Sequence, residues 1–209
     1  MTPKRAAALE LTLFLGLVFS FIWIWARAFP QASLVVYILG LGLTLTTHLI
    51  HRETPADLGL RFDNLVAAAK DAAVPTVPLV TTFLMIGLVR GHPYSEALGL
   101  ERFARGVAWG FLQQYLLQAF IHRRLAVLLK RPAHRELAVA GIFGAMHLPN
   151  PILAPVTALA GYVFAVLYRR HPNLIVLSLC HAIGSVAVAF GFGPENLHKM
   201  RVGPGYFRA

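Results

Sequence analysis

The sequence predicts an all-α fold, a polytopic membrane helix bundle. Apolar runs of roughly twenty residues alternate with short basic segments, and about 18 apolar residues are enough to cross a bilayer. Hydrophobic residues make up 57% of the 209-residue chain and charged residues only 13%, where a soluble domain carries about 25%. The runs account for about seven transmembrane helices, with an eighth left open. Because they use the whole length, we expect residues 1–209 to form a single membrane domain.

The apolar runs place seven predicted spans along the chain. They are residues 6–25, 33–50, 72–89, 104–121, 137–148, 152–168 and 174–190. The first is too long for a signal peptide and lacks a small-residue cleavage site after it, so we expect it to be retained. The fifth is short and stops at Leu148-Pro149-Asn150-Pro151, where two prolines end a helix. A broken helix at membrane depth needs protein or a water-filled cavity around it, which predicts a polar intramembrane cavity near His147.

The basic residues indicate membrane topology. The formal charge is +10, but Lys and Arg lie between the apolar runs, so no nucleic-acid partner is expected. Most of them fall on the side of the N-terminus, and segment 123–135 is the richest. We therefore expect an integral membrane protein of the bacterial cytoplasmic membrane with its N-terminus in the cytoplasm and membrane lipid as a partner. Residues 57–71, where apolar and charged residues interleave, are expected to form an amphipathic segment on the surface.

Polar side chains from three predicted helices fall at one depth. Gln113 lies about nine residues before the basic end of its span, and His147 about eleven residues past Glu136. His181 lies about nine residues past Pro172. At about 1.5 Å per residue, all three lie roughly 13–17 Å below one membrane face. Polar residues in a bilayer usually face the bundle interior, so a shared site is predicted.

The acid–base chemistry open to this site is limited. None of the nine acidic residues lies in the middle of a predicted span, so the core offers no carboxylate as a general base. Glutamine cannot replace one, because its amide does not titrate near neutral pH. His147 or His181 could still act as the base. Gln114, Gln118 and His122 are spaced by four and form one polar stripe, which suits either helix packing or a cavity wall.

Two weaker arrangements accompany these residues. His48 and His51 have an i, i+3 spacing near the end of the second span, but a pair alone is a weak signal for a metal. Ser178 and Ser185 share a helix face with His181, but nothing marks a strained nucleophile turn, so a Ser–His pair is disfavoured.

These motifs resemble those of the CPBP family, the CAAX-protease and bacteriocin-processing membrane proteins also called Abi. Its motifs are Glu-Glu-x-x-x-Arg, Phe-x-x-x-His, and His-x-x-x-Asn or Asp. Residues 113–118, Gln-Gln-Tyr-Leu-Leu-Gln, occupy the first, and residues 143–147 match the second in full. Residues 181–185 match the third except for the last residue. The resemblance covers about 57–190, with a family-like core at about 104–190.

The resemblance implies roles for individual positions. In this family a Glu and two His are thought to activate water for hydrolysis of a prenylated or other membrane protein. The implied catalytic positions are His147, His181, Gln113 and Gln114. The implied substrate-binding positions are Gln118, Phe143 and Ser185. Both carboxylates and the Arg of the first motif are replaced together, which keeps the local charge nearly balanced and indicates a coherent alternative site.

Four hypotheses stay open. The first is a CPBP-type, CAAX prenyl protease-like intramembrane peptidase homologue with altered or lost catalysis, acting on membrane-embedded or lipidated proteins. The second is a non-catalytic scaffold or chaperone that binds such a segment in the same cavity. The third is other chemistry on a lipid-like substrate, or a metal held by His147 and His181; without a carboxylate or Cys this is a thin site, so no metal or other cofactor is predicted. A small transporter ranks last, because no internal repeat is present.

Overall fold

A computed structural model describes residues 1–29, 31–91, 94 and 98–207, and its regular structure there is helical. The α-helices are α1 (Pro3–Ser20), α2 (Ala32–Ile50), α3 (Leu65–Val89), α4 (Leu100–Gln114), α5 (Arg123–Leu128), α6 (Pro132–Ala145), α7 (Leu153–Arg170) and α8 (Leu174–Asn196). π-helical segments follow α1, at Phe21–Trp25, and α4, at Tyr115–His122. Short helical turns lie at Ala26–Ala28, His198–Met200 and Gly203–Phe207. The predicted all-α fold is confirmed.

Within the described residues, four helices are long and apolar enough to cross a membrane, in agreement with a helical membrane bundle. They are Pro3–Trp25, Ala32–Ile50, Leu65–Val89 and Leu174–Asn196. The other three predicted spans also coincide with helices, but α6 has only 14 residues. It rises about 21 Å, against a hydrocarbon core of about 30 Å. That these three helices cross the membrane stays a prediction.

The four candidate spans differ in how far the protein covers them. Over the most apolar window, 56% of α8 is buried, against 17–22% for the other three. Large apolar side chains such as Leu13, Ile38 and Val74 are more than half exposed. An exposed apolar surface of this kind on α1, α2 and α3 suits contact with lipid.

The chain divides into two compact units, which are described separately. The first unit comprises residues 1–54, 116–165 and 201–209, and the second comprises 55–115 and 166–200. In the first, α1 packs against α2 and α5, and α5 packs against α6. Its core includes Leu11, Phe14, Leu117, Phe120, Val139 and Phe143. In the second, α8 packs against both α3 and α4.

Helix α8 approaches α3 so closely that glycine is required at the contact. A Cβ on Gly191 would lie 2.5 Å from the carbonyl oxygen of Phe83, and a Cβ on Gly87 would lie 2.9 Å from Cδ1 of Phe190. Without a strong hydrophobic driving force in lipid, small residues let membrane helices pack backbone to backbone. The helix pair therefore depends on these two positions.

The prediction of an amphipathic surface segment at residues 57–71 is only partly correct. Helix α3 begins at Leu65, seven residues before the predicted span, so the second half of the segment belongs to a long helix. The first half forms turns held to the start of α8: Asn173 Nδ2 donates to the carbonyl of Arg61 at 3.0 Å, and the amide of Leu174 donates to the carbonyl of Gly59 at 2.9 Å. Anchoring of this kind depends on residues distant in the chain, which a local pattern does not reveal.

We predict that Gly191→Ala destabilises the protein, because the added methyl meets a backbone oxygen that no side-chain rotation can move. Overpacking costs about 1–3 kcal/mol, so the thermal midpoint of the purified protein in detergent should fall by several degrees, at about 2–4 °C per kcal/mol. The matched control is Gly184→Ala in the same helix, where a Cβ meets nothing within 4 Å. Equal midpoints for the two variants would contradict the close contact.

Candidate functional site

His147 lies just past the end of α6, where the prolines at 149 and 151 stop the helix. Its Nδ1 is 2.7 Å from the carbonyl oxygen of Phe143, and its ring lies edge-on to the Phe143 ring, with centroids 4.9 Å apart. Phe143 is itself 3% exposed. The second motif is therefore a structural pair, in which Phe143 orients His147 through both its carbonyl and its ring.

The backbone around Phe143 is fixed by close packing of α6 against α7 within the first unit. A Cβ on Gly161 would lie 3.2 Å from Cβ of Phe143. A Cβ on Gly144 would lie 2.9 Å from Cβ of Ala158. Since neither glycine leaves room for a side chain, the helix end that carries His147 has little freedom to shift.

His181 lies in α8 and faces α4 within the second unit. The amide Nε2 of Gln114 is 3.1 Å from His181 Nδ1, and Gln114 is fully buried. The two helices come close because a Cβ on Gly110 would lie only 3.2 Å from both Cβ and Cδ2 of His181. The structure thus brings together one residue of the first motif and the histidine of the third.

The remaining predicted positions differ in burial and in their hydrogen-bond partners. Gln113 and Ser185 are half-buried, in α4 and α8 respectively. Gln118 is fully buried in the π-helical segment after α4. Ser178 Oγ donates to the carbonyl of Ile175 in its own helix at 2.8 Å, which weakens it further as a nucleophile for His181. The common depth predicted from the sequence stays a prediction.

The π-helical segment at Tyr115–His122 is a feature that the sequence pattern did not indicate. It contains two members of the predicted polar stripe, Gln118 and His122, both buried. π-helical turns are rare, and they occur frequently at functional sites. No local sequence signal distinguishes such a turn from an ordinary α-helical one.

His48 and His51 do not form a metal-binding pair, because each faces a carboxylate. His48 Nδ1 is 2.6 Å from Glu53, and His51 Nε2 is 2.8 Å from Glu10. Among the residues described, no three His, Cys, Asp or Glu side chains are grouped to hold a metal ion. At both His147 and His181 the nitrogen that faces a protein partner is Nδ1, so these contacts do not decide whether Nε2 binds a metal.

Glu53 and Arg124 are the centre of a buried charge cluster in the first unit. Arg124 contacts Glu53 through two parallel N–H bonds, of 2.9 and 3.0 Å, and reaches Glu10 at 2.5 Å. Arg123 also donates to Glu53, at 2.9 Å. Burial by itself would raise the pKa of Glu53, but the hydrogen bonds from His48, Arg124 and Arg123 outweigh it and lower the pKa. The sequence pattern indicates only a role in membrane topology for these arginines.

The lowered pKa of Glu53 makes stability depend on pH. Its folded pKa lies below the ordinary value of 4.5, so the stabilisation is fully present above about pH 4.5 and is lost as the pH falls below it. We expect the difference in thermal midpoint between wild type and Glu53→Gln to shrink from pH 7 to pH 3. Glu101→Gln is the control, because its side chain is 83% exposed. A midpoint difference that is independent of pH would contradict the charged cluster.

Comparison with known proteins finds a family model that matches part of the chain. Residues 97–187 match the family model described as type II CAAX prenyl endopeptidase Rce1-like. The match overlaps the predicted family-like core and confirms the resemblance drawn from the motifs. No curated protein and no solved structure matches the chain. Together with the apolar helices, the family match identifies an integral membrane protein.

Proposed function

We propose that this chain, a relative of the type II CAAX prenyl endopeptidases over residues 97–187, is an intramembrane peptidase that cleaves lipidated or membrane-embedded protein segments. The family match supports the class of reaction. The observation that carries the proposal for this chain is the contact between His147 and the carbonyl of Phe143, since it leaves Nε2 of His147 able to act as a base.

The contact determines which nitrogen of His147 can accept a proton. A carbonyl oxygen only accepts hydrogen bonds, so Nδ1, at 2.7 Å, must carry the ring proton. In the neutral imidazole, Nε2 then has a lone pair. A neutral imidazole with a lone pair on Nε2 is suited to general-base catalysis near neutral pH.

His147 then replaces a glutamate as the base for hydrolysis. Its Nε2 takes a proton from water while the water oxygen bonds to the carbonyl carbon of the scissile peptide. The carbon–nitrogen bond breaks, and the same proton passes to the leaving nitrogen. Gln113 and Gln114 can hydrogen-bond to water or substrate but cannot take up the proton.

The substrate class follows from the surroundings of these residues. The described part of the chain has four helices able to cross a membrane, and the matched segment ends inside one of them, α8. A substrate that reaches His147 or His181 must therefore enter an apolar environment, which favours a prenylated C-terminus or a transmembrane segment over a soluble peptide.

A second function is favoured by one observation, the presence of Gln at both positions where the resembling family has Glu. A site with no carboxylate could bind a lipidated segment without cleaving it, as a scaffold or chaperone. The two functions differ in what loss of His147 does: it ends turnover in the first, and at most weakens binding in the second.

We predict that His147→Ala lowers kcat by about 10²–10⁴-fold, the usual contribution of a general base. The assay is mass spectrometry of farnesylated CAAX peptides and a panel of membrane segments incubated with purified protein, with His181→Ala run beside it. The matched control is His134→Ala, an exposed histidine near the start of α6, which should cleave as the wild type does. Equal cleavage by His147→Ala would exclude His147 as the base.

If folded wild-type protein cleaves none of the peptides, the proposal that it is a peptidase is wrong, and the scaffold hypothesis is tested next by measuring binding. A photoreactive farnesylated peptide would then be cross-linked to wild type and to the His147→Ala variant. Cross-linking by both proteins would support the scaffold. Cleavage gained by Gln113→Glu/Gln114→Glu would show that the remaining machinery is intact.

We also propose that the N-terminus faces the cytoplasm of a bacterium, supported by the basic residues near it and in segment 123–135. Single cysteines would replace Thr2, Leu98 and His134 in a Cys180→Ala background, since Cys180 is the one native cysteine. A membrane-impermeant maleimide added to spheroplasts should label position 98 and leave positions 2 and 134 unlabelled until lysis. The reverse pattern would invert the topology.

A further inference from the structure

The loop between His147 and α7 is held by a segment that lies much further along the chain. Prolines at positions 149 and 151 have no backbone N–H, so the hydrogen bonds that hold this loop must come partly from elsewhere. The amide of Gly203 donates to the carbonyl of Leu148 at 2.7 Å. Both residues belong to the first unit. The short segment 201–207 therefore supports the loop that carries His147.

Asn150 makes a second link between the loop and this segment. It is fully buried, and its Oδ1 accepts hydrogen bonds from the amides of Ile152, at 3.2 Å, and Leu153, at 2.9 Å, as a residue that caps the start of a helix does. Its Nδ2 donates to the carbonyl of Arg201 at 3.3 Å. Backbone amides only donate and a carbonyl only accepts, so both ends of the side chain determine the same orientation of the amide.

The segment 201–207 is itself fixed from its other side. Gly203 is buried and has a φ of +56°, in the left-handed region that favours glycine. A Cβ at this position would lie 2.6 Å from the carbonyl oxygen of Ile22, in the π-helical segment after α1. The turn at Gly203–Phe207 thus packs between that segment and the loop, all within the first unit.

The link reaches His147 through Asn150. The backbone amide of Asn150 donates to the carbonyl of His147 at 3.1 Å, while its side chain bonds both to the start of α7 and to Arg201. A shift of Asn150 would therefore move the backbone that carries the imidazole. The contact of His147 with Phe143 fixes the ring from the helix side, and Asn150 fixes the same residue from the loop side.

We infer that the segment 201–207 positions His147, and that Asn150 is the positioning residue through which it acts. The catalytic meaning rests on the proposed function, in which His147 is the base and must meet water and the scissile carbonyl in a fixed geometry. In this role neither Asn150 nor the segment touches the reacting atoms. Releasing the segment would therefore slow turnover without weakening the binding of substrate.

The first test is hydrogen–deuterium exchange of the full-length protein in detergent micelles, read by mass spectrometry on peptides that cover the loop and residues 201–207. Asn150→Asp keeps an oxygen for the amides at the start of α7 but places another against the carbonyl of Arg201. Gly203→Ala meets the carbonyl of Ile22 instead. Each variant should speed exchange in both peptides by about fivefold, the factor of an ordinary hydrogen bond.

Each variant has a matched control. Asn196→Asp makes the same change at an exposed residue of α8, whose Nδ2 donates to the carbonyl of Phe192 at 2.7 Å. Gly205→Ala makes the same change within the turn, where a Cβ meets nothing within 4 Å. Neither control should alter exchange in the loop. If one of the two test variants does not fold, the other carries the test.

The second test separates positioning from a role in binding. With a cleaved farnesylated peptide, Asn150→Asp and Gly203→Ala should lower kcat by about 10- to 100-fold, because misplacement of a reacting group by about 1 Å costs up to about 10²-fold. KM should stay nearly unchanged, since the lost interaction does not involve the bound substrate. Both controls should keep the wild-type kcat and KM.

Several results would overturn the inference. They are wild-type residues 201–207 that exchange as freely as an unfolded peptide, variants that release the segment but leave the loop protected, and released variants that keep the wild-type kcat or raise KM alone. If wild-type protein cleaves no peptide, the proposed function fails, and the exchange measurement still decides whether the segment holds the loop of His147.

Discussion

A polar side chain inside an apolar helix bundle must find its hydrogen-bond partner within the protein. This constraint explains the contacts on which the candidate chemistry depends. His147 meets the carbonyl of Phe143, and His181 meets the amide of Gln114. The carbonyl of Phe143 only accepts hydrogen bonds, so this contact assigns the ring proton of His147 to Nδ1 and leaves a lone pair on Nε2.

The same constraint governs the charges of the first unit. Glu53 and Arg124 are 9% and 4% exposed at their side chains, and Arg123, His48 and Glu10 complete their contacts. A buried charge without a partner costs several kcal/mol, so the cluster is stable only as a whole. It connects α1, the turn after α2 and α5, and so ties together segments far apart in the chain.

Glutamine in the first motif still contacts the histidine of the third motif. Gln114 keeps a hydrogen bond to the third-motif histidine, and Gly110 keeps the helices close enough for it. Decay of an unused site would not be expected to preserve a fully buried amide against its partner, because an unsatisfied buried polar group is unfavourable.

The sequence by itself determined the all-α membrane class, a helix break next to His147 and the family resemblance, because run length, proline and motif spacing are local properties. Only the tertiary structure decided the partners. Gln114 and His181 are 67 residues apart, and Glu53 and Arg124 are 71 apart. The π-helical turn that holds Gln118 and the need for glycine at 110 likewise had no local signal. Side-chain pairing and proton placement depend on distances between helices, which a linear pattern does not contain.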